Sequence, residues 1–531
     1  MSSEALLGPQ IDGLRETARV LNQLGVKFGS RLGQAGGIER SHHDDVRANR
    51  LGTDRFEGLA QVLGAPTQGG HDQQDLGGLR LSCHGVIVGN VPASLDDALT
   101  PAEGQHLHDL ATRLFPICRS LTGNGVRETF AILQEELPGL TLTEVPSGTQ
   151  VLDWTVPEEW NIRGAFLEGP DGSRVIDFAD SNIHVVGYST PVDVRLNLEE
   201  LAPHLHVDSE HRNAIPYVTS YYNRTWGFCL TAEQRETLID GEYHAVIDST
   251  LEPGNLTYGE LVIPGDSTDE VLITTYICHP SLANNELSGP MVSVGIAQWL
   301  MSLPSRRFTY RFVFAPETIG AITYISRNLE HLRANVVAAY NLTCIGDDGD
   351  YSYMASRLAN HPLDRIARRV VSRTPQPVVY SYLDRGSDER QYGMPGVDLP
   401  MISLMRTKYG AYPQYHTHLD DLTVVTPTGL QGGLDLVRNC ILEFEGAKYY
   451  QATVLGEPQL GRRGLYHSMH ARTVSDVIIL RTNVLAYADG SHSAEDMAEL
   501  FDVPLSDVQV IIEELLEHGL LEVTAPRKVT A

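Results

Sequence analysis

The segment that most constrains the fold is residues 236–450, where apolar strand-like runs alternate with helix-like stretches. The run VLITTYIC at 271–278 precedes the helical pattern of 288–303, and FTYRFVFA at 308–315 precedes that of 318–332. Two further strand-like runs follow, ANVVAAYNLTCI and LPMISLM. Alternation of this kind is typical of an α/β sheet with helices on both faces. We therefore predict an α/β fold for this part of the chain.

Two other segments have different patterns. Residues 155–235 are rich in β-branched and aromatic residues broken by turns, which predicts a mostly β subdomain inserted into a main domain at 99–460. Residues 461–531 contain three short helical patterns followed by the strand-like LLEVTA, as in a winged helix-turn-helix. With 531 residues, the chain is long enough to form several such units.

The N-terminal extension, residues 1–98, differs from the rest of the chain. Its periodicity predicts an amphipathic helix at 10–26, whereas the polar, Gly-rich stretch 38–78 lacks a core pattern. We therefore expect the extension to be partly helical or weakly ordered. Three histidines of this polar stretch are interpreted as loop residues and not as metal ligands: His42, His43 and His71.

The charge of the chain bears on its partners. The formal net charge is −28, which disfavours nucleic acid and anionic membranes as partners. The predicted winged helix is itself acidic, with eleven acidic and four basic residues in 471–531, so we expect it to serve structure or homo-oligomerisation and not DNA reading. The absence of a signal-peptide pattern and of a membrane-spanning apolar run favours a cytoplasmic location.

Candidate catalytic side chains follow directly after the predicted strands. His279 and Glu286 follow VLITTYIC, Glu317 follows FTYRFVFA, and His416 lies in the loop after LPMISLM. In an open α/β sheet, ligands bind at the carboxyl ends of the strands, so these side chains are expected to converge. Imidazole and carboxylate are ligands that zinc prefers, and a second carboxylate could act as a general base. The pattern predicts a hydrolytic zinc site.

Several longer motifs resemble a known family. HPSLANNELSGP, PETIG, YNLTCIG, GSDERQY and YHTHLDDL, in this order, resemble zinc-dependent aminopeptidase-like proteins, and in particular the bacterial group associated with polysaccharide biosynthesis. RLFPICRSLTGNGVRET, VPEEWNIR, NIHVVGYSTPVD, TSYYNRTWGFCLT and the segment after RRGLY are also similar to that group. The resemblance covers roughly residues 100–525. It implies a zinc-exopeptidase-like mixed sheet with flanking helices, an inserted β domain and a C-terminal winged helix.

The resemblance assigns roles to three residues of this sequence. His279 and His416 correspond to the first and last histidine ligands of the family, and Glu317 corresponds to its general base. Three other ligand positions of the family lack a carboxylate in this chain, because they hold Asn285, Thr318 and Thr343. Two zinc ions at close range need anionic ligands to offset their mutual repulsion, so we do not expect a full two-zinc centre.

One zinc ion remains the expectation, with an open choice for its third ligand. Glu286 lies one residue beyond the bridging position of the family, and Asp388 belongs to the motif GSDERQY that lines the family's site. We favour His279, Glu286 and His416 as ligands. Asn285, Asp388 and Tyr222 are then expected to bind substrate or to support the site.

Neighbouring residues have competing interpretations. His418 is a close rival of His416 as the ligand, although the order tyrosine-histidine-threonine favours His416. Asp420 and Asp421 are interpreted as helix-start residues. The aromatic residues of IPYVTSYYNRTWGF form either strand core or a wall over the site: Tyr217, Tyr221, Tyr222 and Trp226.

These patterns together predict a zinc-dependent hydrolase of the aminopeptidase type. It would cleave an amide bond in a small peptide or in an aminoacyl-bearing metabolite, with Glu317 as the base. The alternative is a pseudo-peptidase that has lost catalysis and acts in binding or assembly. A transcriptional regulator built on the winged helix is disfavoured by its acidic charge.

Overall fold

A computed structural model describes residues 102–466 and 476–526 of the protein. The predicted extension 1–98, with its helix at 10–26 and with His42, His43 and His71, lies outside the described residues. Within these residues the strands are, in chain order, β1 (Thr141–Pro146), β2 (Gln150–Val151), β3 (Trp154–Thr155), β4 (Glu159–Glu168), β5 (Arg174–Asp177), β6 (Val192–Asn197), β7 (Leu205–His206), β8 (Phe228–Cys229), β9 (Glu242–Glu252), β10 (Asn255–Ile263), β11 (Glu270–Tyr276), β12 (Thr309–Ala315), β13 (Val336–Leu342), β14 (Tyr351–Met354), β15 (Pro377–Tyr380), β16 (Met401–Met405), β17 (Tyr449–Ala452), β18 (Asp489–Ser493) and β19 (Leu521–Thr524).

The α-helices surround these strands. They are α1 (Ala102–Leu114), α2 (Asn124–Glu136), α3 (Leu198–Leu201), α4 (Ala232–Glu236), α5 (Ser288–Ser302), α6 (Ile319–Asn335), α7 (Pro362–Ser372), α8 (Glu389–Tyr392), α9 (Pro427–Gly446), α10 (Asp476–Tyr487), α11 (Ala494–Phe501) and α12 (Leu505–Glu517). A π-helical turn at Ala283–Leu287 leads directly into α5.

The central sheet has eight strands in the order β1-β10-β12-β11-β13-β16-β14-β15. Its four middle strands β12, β11, β13 and β16 are parallel to one another, and β10, β1 and β14 run antiparallel to their inner neighbours. Every residue of β11 and of β13 is buried, as expected for parallel strands that are covered on both faces. The predicted α/β fold with a mixed sheet is confirmed.

Alternate residues of the central strands feed two separate cores. In β11, Val271 and Ile273 belong to the core that α1, α5 and α9 cover, while Leu272 belongs to the opposite core, which α6 covers. Successive side chains of a strand point to opposite faces, so an uninterrupted apolar run is what a strand covered by helices on both faces requires. The helices thereby hold the strand ends in place for the site.

A second sheet is inserted between β1 and β10. Its strands have the order β5-β4-β9-β6, and they span Glu159 to Glu252. Its core includes Leu167, Phe228 and Tyr243. The long connection between β6 and β9 returns to the central sheet, because the backbone N–H of Tyr217 donates to the carbonyl of His416 at 2.8 Å. The insert thus reaches the carboxyl ends of the central strands.

The C-terminal helices α10, α11 and α12 pack on a three-stranded sheet of order β18-β17-β19. Strand β17 precedes residue 461, so this sheet starts before the predicted boundary at 461. Asp496 of α11 pairs with Arg365 of α7 at 3.0 Å and with Arg369 at 2.5 Å, which ties the unit to the central domain. In the described part of the chain, none of the helices has the length and apolar character needed to cross a membrane.

Candidate active site

The parallel strands bring the predicted side chains to one edge of the central sheet. Nε2 of His279, after β11, lies 3.7 Å from Oε2 of Glu317, after β12. The rings of His279 and of His416, which lies in the loop after β16, have centroids 5.8 Å apart. Thr343 directly follows β13 at the same edge. Four successive strand ends therefore contribute to a single site.

Glu286 lies behind His279, on the side away from Glu317. Its Oε2 accepts hydrogen bonds from Nδ1 of His279 at 2.9 Å, from the backbone N–H of Cys278 at 2.5 Å and from the backbone N–H of His279. Its Oε1 accepts from Nε of Arg119 at 2.7 Å. With both oxygens engaged, Glu286 fixes the ring of His279 with Nδ1 protonated and Nε2 turned towards the site. It has no free lone pair that points at an ion beside Nε2.

Arg119 is a site residue that the sequence analysis missed. Its side chain is fully buried, and besides Glu286 it donates to the carbonyls of His279 (2.9 Å), Leu114 (2.7 Å) and Pro280 (3.2 Å). The guanidinium neutralises the Glu286 carboxylate and clamps the chain around His279. Its motif RLFPICRS was recognised as part of the resemblance, but no local pattern ties it to His279, 160 residues away.

His416 offers a nitrogen with the properties of a ligand. Burial lowers the pKa of His416 to about 3, so its imidazole is neutral. Its Nε2 is buried and has no hydrogen-bond partner among the residues that the structure describes. Its ring stacks on Tyr415 with centroids 3.9 Å apart, and the edge of Tyr217 packs against it at 5.3 Å. A buried polar atom without a partner is costly, unless it faces water or a ligand.

His418 has a different role from His416. Its Nδ1 accepts the backbone N–H of Ile215 at 2.9 Å, which fastens the loop of the insert. The ring is therefore engaged in a structural contact. Of the two rivals in YHTHLDDL, His416 is the one with a free nitrogen at the site.

Glu317 combines access with partial desolvation. Burial raises the pKa of its carboxyl group, although the side chain keeps 23% of its exposure, and the neighbouring His279 opposes the rise. The backbone N–H of Glu317 donates to Sγ of Cys278 at 3.2 Å, and this contact links the ends of β11 and β12. A carboxylate with a raised pKa is a better proton acceptor near neutral pH.

Asp388 supports Glu317 from behind through Thr318. Thr318 has a φ of 62°, in the left-handed region that non-glycine residues rarely adopt. Its N–H donates to Oδ1 of Asp388 at 2.8 Å, and its hydroxyl accepts from Arg390 at 2.6 Å. Burial raises the pKa of Asp388 well above its usual range. The predicted support role for Asp388 thus has a physical basis in the strained backbone beside Glu317.

Two of the three positions that lack a carboxylate, Asn285 and Thr343, belong to a neutral hydrogen-bond network. The hydroxyl of Tyr276 donates to Oδ1 of Asn285 and lies 2.5 Å from Oγ1 of Thr343. Asp420 accepts the backbone N–H groups of Asn284 and Asn285, each at 2.8 Å. Tyr276 and Asp420 were not predicted as site residues. Tyr276 is the last residue of β11 and lies inside the largely apolar run VLITTYIC, which hides its polar role.

The available donors can be tested against a metal ion. Among the described residues, one group of three potential metal ligands is found: Cys278, His279 and Glu286. Their ligand atoms all lie within 4.8 Å of one another. This group is unsuited, because Glu286 is saturated with donors and burial raises the pKa of the Cys278 thiol well above its usual range. A two-zinc centre does not fit either, because Asn285 and Thr343 carry no charge.

Two imidazole donors for a single ion are present, His279 and His416, and the carboxylate of Glu317 lies beside them. Imidazole nitrogen is a ligand that zinc accepts, and water or substrate can complete the coordination. Because the donor atoms of His279, His416 and Glu317 do not all lie within 4.8 Å of one another, a side chain has to turn to bring both imidazoles and the carboxylate around one ion. Nε2 of His416 has no hydrogen-bond partner in the described part of the chain, so coordination to an ion would satisfy this buried atom.

The aromatic residues of the insert divide into two groups. Tyr217 lies between the two histidines, 5.1 Å from the ring of His279, and its hydroxyl is 3.3 Å from that of Tyr221. Tyr222 is half exposed beside a cavity of about 490 Å³ that reaches Glu317. Trp226 instead stacks on His204 at 3.8 Å in the core of the inserted sheet. Three tyrosines therefore border the site, and the tryptophan belongs to the strand core.

Comparison with known proteins agrees with this architecture. Residues 108–447 match a family described as a domain of unknown function (DUF4910), and residues 448–523 match a winged helix-turn-helix family. A Clostridium acetobutylicum protein, named for polysaccharide biosynthesis and an aminopeptidase-like domain, is 44% identical over 365 residues, which are 68% of this chain and 83% of that protein.

A solved structure is similar as well. The crystal structure of a Clostridium acetobutylicum protein described as a candidate peptidase has a TM-score of 0.68 and 39% identity, and covers 80% of this chain and 97% of that one. The chain therefore belongs to the aminopeptidase-like family described as DUF4910, joined at its C-terminus to a winged helix-turn-helix.

Proposed function

We propose that the protein is a metal-dependent hydrolase that cleaves an amide bond in a small peptide or an aminoacyl-bearing metabolite. The observation that carries the proposal is the pairing of Glu317 with two imidazole rings at one sheet edge. Nε2 of His279 lies 3.7 Å from Glu317, and the buried Nε2 of His416 is unpartnered in the described chain. We infer that the two imidazoles hold one zinc ion and that Glu317 activates water beside it.

Each residue has a distinct task in this proposal. Glu286 keeps His279 in the tautomer that presents a lone pair at Nε2, and burial keeps His416 neutral, so both are able to bind a cation. A zinc ion held there would act as a Lewis acid on the scissile carbonyl group. Glu317 would take the proton of the attacking water and pass it to the leaving amine. Glu286 thus moves from the predicted ligand set to an orienting role.

A second candidate function is a binding protein without catalysis. It is favoured by the neutral Tyr276–Asn285–Thr343 network. The donor atoms of His279, His416 and Glu317, which do not all lie within 4.8 Å of one another, favour it as well. The name of the clostridial relative refers to polysaccharide biosynthesis, which is compatible with either candidate. Metal content and turnover distinguish the two.

The C-terminal unit is assigned to assembly in this proposal. Helix α12 carries Glu513, Glu514 and Glu517, a charge pattern that repels phosphate. Val510 on the same helix is more than half exposed, as is Val523 on β19. We propose homo-oligomerisation through this unit, with neither nucleic acid nor membranes as partners, and a cytoplasmic site of action.

The metal content of the purified protein tests the proposal. We expect about one zinc ion per chain in protein prepared without chelators, and loss of that zinc in His279→Ala and in His416→Ala. His418→Ala is the matched control, because His418 is engaged with Ile215 and should leave the metal content unchanged. Zinc far below one equivalent, unaffected by His279→Ala, would instead support the binding protein.

A further inference from the structure

The cavity beside Glu317 has an aromatic wall that the proposed reaction does not use. It measures about 490 Å³, within the range of small-molecule sites, and Trp154 and Tyr222 line it. Their rings lie 6.0 Å apart at an angle of 58°, with 40% and 50% of their surface exposed. The hydroxyl of Tyr222 donates to the carbonyl of Thr155 at 2.9 Å, which anchors the ring to β3. Exposed, anchored aromatic rings offer a flat apolar face to a ligand.

The same cavity contains a guanidinium group that no carboxylate neutralises at close range. Arg390 lines the cavity, and its side chain is 39% exposed. Its guanidinium group donates one hydrogen bond, to the hydroxyl of Thr318. The carboxylate oxygen nearest to this group, on Glu317, is 3.9 Å away. Its Nε is buried without a partner among the described residues. Arg390 therefore retains donors for an incoming anion.

Two other arginines near the central sheet lie closer to a carboxylate than Arg390 does. Arg119 makes four hydrogen bonds, one of them to a carboxylate. Arg311 donates twice to the carboxylate of Glu270, at 2.7 and 2.8 Å. If Arg390 served only as a counter-charge for Glu317, a similarly close pair would be expected. The guanidinium group of Arg390 lies at a cavity wall and has N–H groups that make no hydrogen bond, which suits the recognition of a ligand.

We propose that the substrate presents a ring and a carboxylate. The flat apolar face of the ring stacks on Trp154 and Tyr222, and the carboxylate binds Arg390. This inference rests on the proposed function, because it places the scissile amide beside Glu317. The carboxylate would receive the planar, two-pronged hydrogen bonding that guanidinium groups provide. The ring is either aromatic or the apolar face of a sugar, since both stack on aromatic side chains. In a chain of net charge −28, Arg390 supplies the local positive charge that an anionic ligand needs.

Calorimetric titration with compounds that lack an amide bond tests this class of ligand. The probes are 3-phenylpropanoate, its neutral analogue 3-phenylpropan-1-ol, the ringless hexanoate and methyl glucuronide, a sugar carboxylate. We expect 3-phenylpropanoate or methyl glucuronide to bind at least about tenfold more tightly than the alcohol and hexanoate. The tighter of the two identifies the ring as aromatic or as a sugar. Binding of both 3-phenylpropanoate and methyl glucuronide that is no tighter than that of the alcohol and of hexanoate overturns the proposal.

Two variants locate the interaction. Arg390→Gln should weaken binding of the preferred acid about 10- to 100-fold and abolish the preference for acid over alcohol. Trp154→Leu should weaken the acid and the alcohol alike, about 3- to 10-fold. Arg163→Gln is the matched control, because Arg163 is an exposed arginine of the inserted sheet that pairs with Asp248. An unchanged preference in a folded Arg390→Gln protein contradicts the assignment.

The test separates this inference from the proposed hydrolase activity. The probes have no scissile amide, so their binding requires neither catalysis nor Glu317. Selective binding together with full turnover in Glu317→Gln would refute the proposed mechanism and leave the ligand class standing. If the probes bind without selectivity while turnover depends on Glu317, the proposed ligand class alone is refuted.

Discussion

The carboxylate of Glu286 accepts a hydrogen bond from Nδ1 of His279 at 2.9 Å, and this contact determines which nitrogen of the ring faces the site. The second oxygen of Glu286 is held by the buried Arg119 at 2.7 Å. The three residues form a chain that starts in the segment after α1 and ends at the candidate centre. Such chains orient a ligand or base, and their loss impairs a site without touching its substrate.

Glu317 is predicted to be the catalytic base. Glu317→Gln keeps the shape of the side chain but removes its ability to accept a proton, so kcat should fall at least about 100-fold, while the zinc content and the circular dichroism spectrum stay unchanged. Glu199→Gln, on the short helix α3 of the insert, is the control and should retain activity. Near-normal turnover in Glu317→Gln would remove Glu317 from the mechanism.

Arg119 is predicted to be essential for stability. Arg119→Met leaves the carboxylate of Glu286 buried without its counter-charge, so the free energy of unfolding should fall by about 3–5 kcal/mol. Urea unfolding followed by tryptophan fluorescence measures the change. Arg163→Met breaks an exposed pair and should leave the midpoint within experimental error. Equal stability of both variants would mean that the buried pair is dispensable.

His361 is predicted to make stability depend on pH. Burial lowers the pKa of His361 to about 3, so below about pH 6.5 the unfolded chain takes up a proton that the folded chain does not. The stability that this group contributes is therefore present above pH 6.5, and it is lost as the pH falls towards 3, by about 2 kcal/mol at pH 5.

The variant His361→Asn isolates the contribution of His361 to the pH dependence of stability. Asn retains a side-chain acceptor for the N-terminus of α7, where Nδ1 of His361 accepts the N–H of Leu363 at 3.2 Å. Urea unfolding at pH 7 and pH 5 should show a smaller loss of stability in the variant than in the parent protein. His416 and Asp420 also titrate with shifted pKa values, to about 3 and about 6, but they are common to both proteins. Identical pH slopes would show that His361 is accessible to protons in the folded state.

The winged helix is predicted not to bind DNA. Its segment 471–531 has eleven acidic and four basic residues, so phosphate neutralisation and counterion release cannot drive association. Fluorescence anisotropy with labelled duplexes should show no binding by the full-length protein between about 20 and 200 mM salt. Binding that strengthens as the salt concentration falls would reinstate a role in nucleic-acid recognition.

Much of the fold could be predicted from local patterns. Runs such as VLITTYIC are largely apolar because both faces of a central parallel strand are buried, and the confirmed sheet contains them as β11 and its neighbours. The three helices and the last strand of the winged helix were likewise readable from periodicity. The inserted sheet extends to Glu252, and its last strand β9 lies beyond the predicted segment 155–235.

The functional meaning of Glu286 was not readable from the sequence. Its position one residue after Asn285 made it a candidate ligand, but the direction of its side chain depends on the π-helical turn Ala283–Leu287. Asp420, from a distant loop, holds that turn through the N–H groups of Asn284 and Asn285. A contact between residues more than 130 positions apart leaves no periodic trace in either segment.

The side chains at and near the four strand ends could be predicted from the sequence: two imidazoles, one carboxylate and three uncharged substitutes. This was possible because apolar runs end where polar residues begin, and parallel strands place those ends at one edge. The direction in which each group points depends on the folded structure. Arg119 and Glu286 orient His279, burial leaves Nε2 of His416 free, and Tyr276 closes the neutral network. Such choices depend on desolvation and on hydrogen bonds between distant segments, which exist only once the chain has folded.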